Sequence, residues 1–381
     1  MEIKNYFLNI MKKILLVTRP IAPPWDEGSK NFAYFLAKNI SDFKIGLLTK
    51  GVLPNLPQNV IQKPIYTENA FSFWQKIKLI IKLRTLKKEF DILHFLFTPT
   101  KQNSFLIKNL IHNKQGNFRT IQTIATLRED LYSEAEKKEM LFGDRLITYS
   151  DYTKNKLAQM GFRNVERIYP GIDLEIYRSQ EKNPDYLKKY LFSPEDFIIN
   201  FTGEYVRNDA MDTVVKSFIE VSKIIPEAKL SLPVRIKNKK DAAKKKEVME
   251  IFRKNNLLER VVFHDDGKYE MPDIYNLCNI SIFPVKNMRG KFDVPLAVIE
   301  AMACEKPVII SNLPILEEFA KEENSVRIEK GDVQKLKDAI LDLYRNPEKR
   351  ILLGKNARKF TEENFDIKNV AKQYKKVYEK L

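Results

Sequence analysis

The chain of 381 residues carries 66 Lys and Arg against 50 Asp and Glu, a formal net charge of +16, with 44% hydrophobic and 30% charged residues. That length holds about two or three domains with sizeable cores, and the mixture is that of an ordinary globular protein. No run approaches about eighteen apolar residues, which excludes a transmembrane helix, and two cysteines with three scattered histidines leave neither a disulfide framework nor metal-ligand spacing.

Residues 1–10, with Glu2 and Lys4, lack the apolar run of a secretory signal. Met11-Lys-Lys-Ile-Leu-Leu-Val reads as a natural start, so the first ten residues are expected to be an extension and the protein cytoplasmic. Strands are expected at 13–18, 44–49, 91–97, 119–125, 145–150 and 165–169. Helices are expected at 29–39 and 153–160. The stretch 174–196 is polar, with turn and cap signals at Lys182-Asn-Pro-Asp and Ser193-Pro-Glu-Asp, and marks a boundary. Beyond it, strands are expected at 197–202, 229–234, 261–264, 280–284 and 308–311, with helices at 210–224, 242–255 and 333–344. Several strands are apolar on both faces. Repeated strand–helix–strand units of this kind imply an α/β protein with two doubly wound, Rossmann-like parallel sheets, and a ligand site at strand carboxyl ends, in a cleft between the domains. Cys278 and Cys304 lie in apolar surroundings and read as buried free thiols.

The most informative stretch is Lys291-Phe-Asp-Val-Pro-Leu-Ala-Val-Ile-Glu300, which places Asp293 and Glu300 across a loop-to-helix boundary. Pro295 suits the first helical turn, and free N–H groups at the helix start around Pro295 and Leu296 favour an anion. Asp293 serves equally as a helix cap.

The chain resembles the family 4 glycosyltransferases of the GT-B fold. The resemblance runs from Met11 to the end and rests on motifs in the family's order. These are Lys13-Ile-Leu-Leu-Val-Thr-Arg-Pro, the loop Pro23-Pro-Trp-Asp-Glu-Gly28, Asp91-Ile-Leu-His94, Ile147-Thr-Tyr-Ser150, Ile168-Tyr-Pro-Gly-Ile-Asp173, Phe201-Thr-Gly203, Met271-Pro-Asp-Ile-Tyr275, and Ile299-Glu-Ala-Met-Ala before Lys306-Pro-Val-Ile. It implies a retaining, metal-independent transferase that needs no cofactor beyond its nucleotide-sugar donor and passes the sugar to a hydroxyl acceptor, in glycan or cell-envelope assembly. It also implies an acceptor domain at 1–178, to which a final helix at 367–381 returns, and a nucleotide-sugar domain at 179–366.

On this resemblance Glu300 accepts the ribose hydroxyls, and Asp293 faces the transferred sugar. Gly28, Gly203 and Tyr275 belong to the donor side or its phosphates. Asp26, Glu27, His94, Tyr149 and Gly171 are acceptor-side candidates, although a strand-to-helix turn or plain packing accounts for them as readily. The pattern also departs from the family. The place of the first carboxylate holds Phe292, so Asp293 stands one residue closer to Glu300. The usual donor-phosphate arginine and lysine are replaced by Glu204 and Asp209, and a usual histidine is absent near Ala125 and Thr126. Arg235, Lys291 and Arg207 are then the candidate cations, since a diphosphate leaving group needs positive charge. These losses leave open a catalytically degenerate binding subunit, and the fold leaves open another reaction such as a nucleotide-sugar epimerase or phosphorylase.

Phe71-Ser-Phe-Trp-Gln-Lys-Ile-Lys-Leu-Ile-Ile-Lys-Leu-Arg mixes aromatics and cations. It suits an anionic membrane surface, which would make the protein peripheral, or an ordinary sheet-covering helix with Ile77, Ile80, Ile81 and Leu83 inward. No module or aromatic–basic platform points to nucleic acid.

Overall fold

The computed structural model describes residues 11–23, 25, 27–112, 118–264 and 269–381. The chain divides into two compact units. Unit one ends at Gly171 and is completed by Ile367–Leu381, and unit two is Ile172–Asp366.

Among the described residues, unit one is built on seven strands, β1 (Lys13–Ile21), β2 (Lys44–Thr49), β3 (Val60–Lys63), β4 (Ile92–Leu96), β5 (Arg119–Ile124), β6 (Arg145–Thr148) and β7 (Val165–Arg167), in the order β3-β2-β1-β4-β5-β6-β7. Every pairing is parallel. A parallel sheet covered on both faces needs apolar side chains on both, and β4 is buried at every position. The helix Phe73–Leu86 covers one face through Gln75, Leu79, Leu83 and Leu86. Ile81, expected inward, is 57% exposed, because it lies about 200° around the helix from Leu79. Phe73 and Trp74 are also exposed.

The last helix, Ile367–Glu379, buries Ile367, Val370, Ala371, Tyr374, Val377 and Tyr378 in unit one. The Tyr374 ring lies 5.7 Å from Phe32, and Tyr378 lies 5.7 Å from Phe43. At Gly171 a Cβ would come within 2.8 Å of the Ile367 Cα, so only glycine lets the start of this helix lie so close.

Unit two has six described strands, β8 (Phe197–Asn200), β9 (Ala228–Leu232), β10 (Val261–Phe263), β11 (Ile280–Phe283), β12 (Val308–Ser311) and β13 (Ser325–Ile328), in the order β10-β9-β8-β11-β12-β13, again all parallel. β3 and β13 were not expected. Both are short, half-polar strands at a sheet edge, where one flank needs no apolar cover. From β8 the chain lays down β9 and β10 on one side, then returns to place β11 on the other. The switch point therefore lies between β8 and β11, where ligands of open α/β sheets bind beyond the strand carboxyl ends.

Candidate functional site

β8 and β9 each stop two residues before the end expected for them, and β11 one residue before, so the residues beyond are free to form loops. After β8 comes Gly203, where a Cβ would meet the Phe201 ring at 2.6 Å. Glu204 follows, turned inward and 6% exposed. Its backbone bridges in parallel to Arg235, which carries the β8–β9 pairing past the strand ends. The turn at Arg207–Asp209 places two residues in the left-handed region, Asn208 (φ 69°) and Asp209 (φ 54°), which Asn and Asp tolerate better than most side chains.

That turn is laced to the loop after β11. The Asn208 amide donates to the carbonyls of Asn287 (2.8 Å) and Arg289 (3.4 Å), and the Lys286 N–H donates to the Asn208 carbonyl (2.9 Å). The Asn287 amide donates to Asp209 (3.0 Å), and Arg207 donates to the Gly290 carbonyl (3.1 Å).

Glu204 is the hub of this region. One carboxylate oxygen accepts from the Lys237 Nζ (2.9 Å) and the Lys291 Nζ (3.0 Å), and the other accepts from the Arg207 Nε (3.0 Å). Burial alone would raise the pKa of Glu204, but Lys291 and Lys237 outweigh it and hold the group at about 2. The Lys291 ammonium is pulled below its usual value, chiefly by burial, with Lys237 and Arg207 adding to the effect and Glu204 opposing it. Three cations on one carboxylate leave two positive charges in excess. The structure thus brings the expected Arg207 and Lys291 together, whereas Arg235 reaches the group through its backbone and has a half-buried side chain. Lys237 was missed. Its only sequence signal is its position just beyond the carboxyl end of β9.

The two carboxylates flank the start of helix Leu296–Ala303. Pro295, expected inside the first turn, instead occupies the cap position ahead of it, and Leu296 opens the helix. Asp293 therefore lies two residues before the cap and does not fill it; its residue is 1% exposed. Glu300 lies one turn into the helix and accepts a hydrogen bond from the Tyr275 hydroxyl (3.1 Å), with Tyr177 as a second hydroxyl partner. The two tyrosine rings are 6.5 Å apart. Burial pushes the Glu300 carboxyl up to about 7, and the tyrosine hydrogen bonds pull the other way. Tyr275, expected to frame a base, is wholly buried in helix Met271–Leu277 and holds Glu300 instead. Tyr177 was missed, since it falls in the polar boundary stretch.

In unit one the expected residues scatter. Gly28 opens helix Gly28–Lys38, and Glu27 at its cap position pairs with Arg19 rather than capping it. Asp26 lies outside the described residues. His94, expected near the acceptor, is inside β4 and fully buried. Its ring nitrogens lie 2.8 Å from the Tyr378 hydroxyl and 2.7 Å from the Thr123 hydroxyl, and burial pushes its pKa down to about 3. Tyr149 is 2% exposed, edge-on to Phe32 at 5.8 Å. Gly171 lies under the last helix. His94, Tyr149 and Gly171 are thus all buried in unit one.

Residues 182–360, within unit two, match the family model described as Glycosyl transferases group 1. An uncharacterised glycosyltransferase of Methanocaldococcus jannaschii is 20% identical over 336 residues, covering 87% of this chain and 82% of the relative. Among solved structures, Anabaena HepE in complex with UDP and glucose matches with a TM-score of 0.76 at 16% identity, over 97% of this chain and 100% of that one. Sucrose-phosphate synthase of Thermosynechococcus elongatus matches with a TM-score of 0.76 at 18% identity, over 97% and 98%. The chain has the GT-B fold.

Proposed function

We propose that this protein is a glycosyltransferase, moving a sugar from a nucleoside-diphosphate donor to a hydroxyl acceptor with retention of configuration. The observation that carries this reading is the Glu204-centred group of cations from the loops after β8, β9 and β11, in the same unit as the tyrosine-held Glu300 and inside the segment that matches the glycosyltransferase model. Glu300, as a carboxylate, accepts the two ribose hydroxyls, with Tyr275 and Tyr177 fixing its orientation. Lys237, Lys291, Arg207 and the first N–H groups of helix Leu296–Ala303 stabilise the departing diphosphate, which makes a metal ion unnecessary for that charge. Asp293 lies against the sugar. The bond from the sugar to the diphosphate breaks, the acceptor oxygen takes its place on the same face, and the acceptor proton passes to a diphosphate oxygen.

HepE is described with UDP and glucose, so uridine nucleotides head the donor panel. Thermal-shift and sugar-release assays across uridine, guanosine and adenosine diphosphate sugars test the reading. One donor is expected both to stabilise the protein and to release sugar. Stabilisation without release from any donor would favour a binding subunit, a reading supported by Glu204 and Asp209 standing where the resemblance places a basic pair.

The same transferase would work at an anionic membrane surface. Among the described residues no helix is long and apolar enough to cross a membrane. On helix Phe73–Leu86, however, Trp74 and Ile81 share an exposed face, beside exposed Phe73, Lys78 and Lys82. Flotation is expected with anionic vesicles and not with neutral ones, and Trp74→Glu is expected to reduce it several-fold. Equal recovery with both vesicle types would remove the membrane from this reading.

A further inference from the structure

We propose that Glu204 is a positioning residue for the donor diphosphate, gathering Lys237, Lys291 and Arg207 into one anion-binding group in which Lys237 is a direct ligand. The inference rests on the donor reading only for the identity of the anion.

Three loops contribute to the group: Arg207 follows β8, Lys237 follows β9 and Lys291 follows β11. Two ammonium groups share one oxygen of Glu204 and a guanidinium takes the other, an arrangement that three cations would not hold without the carboxylate between them. Glu204 is itself fixed, being 6% exposed and tied through its backbone to Arg235. An exposed ion pair would give neither the burial nor the shared geometry. Each lysine has three donors and spends one on Glu204, which leaves donors for a ligand oxygen.

The charge arithmetic explains how an acidic residue can stand where a cation is expected. With three cations on one carboxylate, the group keeps two excess positive charges, the number a basic pair would supply. Asp209, the other reversed position, accepts from the Asn287 amide. Glu204 also keeps Lys291 charged. The ammonium is faced by Glu204, Lys237 and Arg207, and with Glu204 removed both its burial and its two cationic neighbours favour loss of the proton.

The test is calorimetric titration of the full chain with inorganic pyrophosphate, from about pH 6 to about pH 10. The wild type should bind, with affinity falling on the alkaline side as Lys291 deprotonates. Glu204→Gln should bind roughly tenfold more weakly near neutrality, with its alkaline limb moved to lower pH. Glu204→Asp should recover part of both. Lys237→Ala, at a part-exposed position, should bind roughly tenfold more weakly and show a shallower salt dependence. The position of the alkaline limb is independent of how much protein is folded, so a purely structural defect leaves it in place.

The proposal is overturned if the wild type does not bind pyrophosphate or if Lys237→Ala binds as wild type. It is also overturned if Glu204→Gln binds equally or more tightly with the limb unmoved, which would make Glu204 a competitor of the anion. Failure of the donor reading looks different: no sugar is released from any nucleotide sugar, while pyrophosphate binding keeps the expected pattern.

Discussion

Glu300→Gln is expected to abolish sugar release while raising the thermal unfolding midpoint by several degrees. The carboxyl of Glu300 is pushed up to about 7, first by burial, so the folded protein holds its charge at a cost that the unfolded chain does not bear. For an acid with a raised folded value, the stabilising proton is present below the unfolded value near 4.5 and is lost as pH rises through about 7. Above that point the charged group costs on the order of 3 kcal/mol, and the amide removes the cost while keeping one oxygen for the tyrosine hydroxyls. Function moves the opposite way, because a neutral amide is a poorer acceptor for two ribose hydroxyls than a carboxylate, and a change in donor binding of about tenfold or more follows. Wild-type donor affinity should fall as pH drops below about 7, and the variant should lose that dependence. Differential scanning calorimetry and donor titration at several pH values check both halves. A variant that is active, or less stable than wild type at neutral pH, would contradict the assignment.

Tyr378→Ala is expected to destabilise unit one by roughly 3–5 kcal/mol, from the cavity it leaves and the lost ring contacts with Phe43 and His94. Part of the loss is polar, since His94 at the sheet centre would keep only Thr123 as a partner. Tyr378→Phe isolates that part, at about 1–3 kcal/mol. Chemical denaturation of the three proteins measures both. Acid should make matters worse for the wild type as well. The unfolded imidazole takes a proton below about 6.5, whereas the buried one does not until about 3, so the His94 contribution falls across that window, opposite in sign to that of Glu300.

The fold was legible where burial is complete. β1, β4 and β12 announce themselves as apolar runs because both faces are covered, whereas β3 and β13 do not, being half-wet edge strands. Glu300 was legible because an apolar helix rarely carries a lone carboxylate without use for it. The cation group was only half legible. Arg207 and Lys291 lie close in sequence to recognisable strings, but Lys237 is one lysine among many until the end of β9 places it beside Glu204. The burial of His94, Tyr149 and Gly171 was not legible for a related reason. Strand-end topology places a residue along the chain, but what covers it depends on the helix Ile367–Glu379, whose Tyr378 arrives 284 residues after His94.

That last helix also sets an order of assembly. Unit two is an insertion in unit one, and the helix that closes the first core is synthesised after all of unit two. During translation the inserted unit can reach its fold while the earlier-made unit still lacks a wall, with Phe32, Phe43 and His94 uncovered. Until Ile367–Glu379 emerges, unit one therefore keeps an exposed apolar seam open to chaperones. The two units would mature at different moments in the life of one chain.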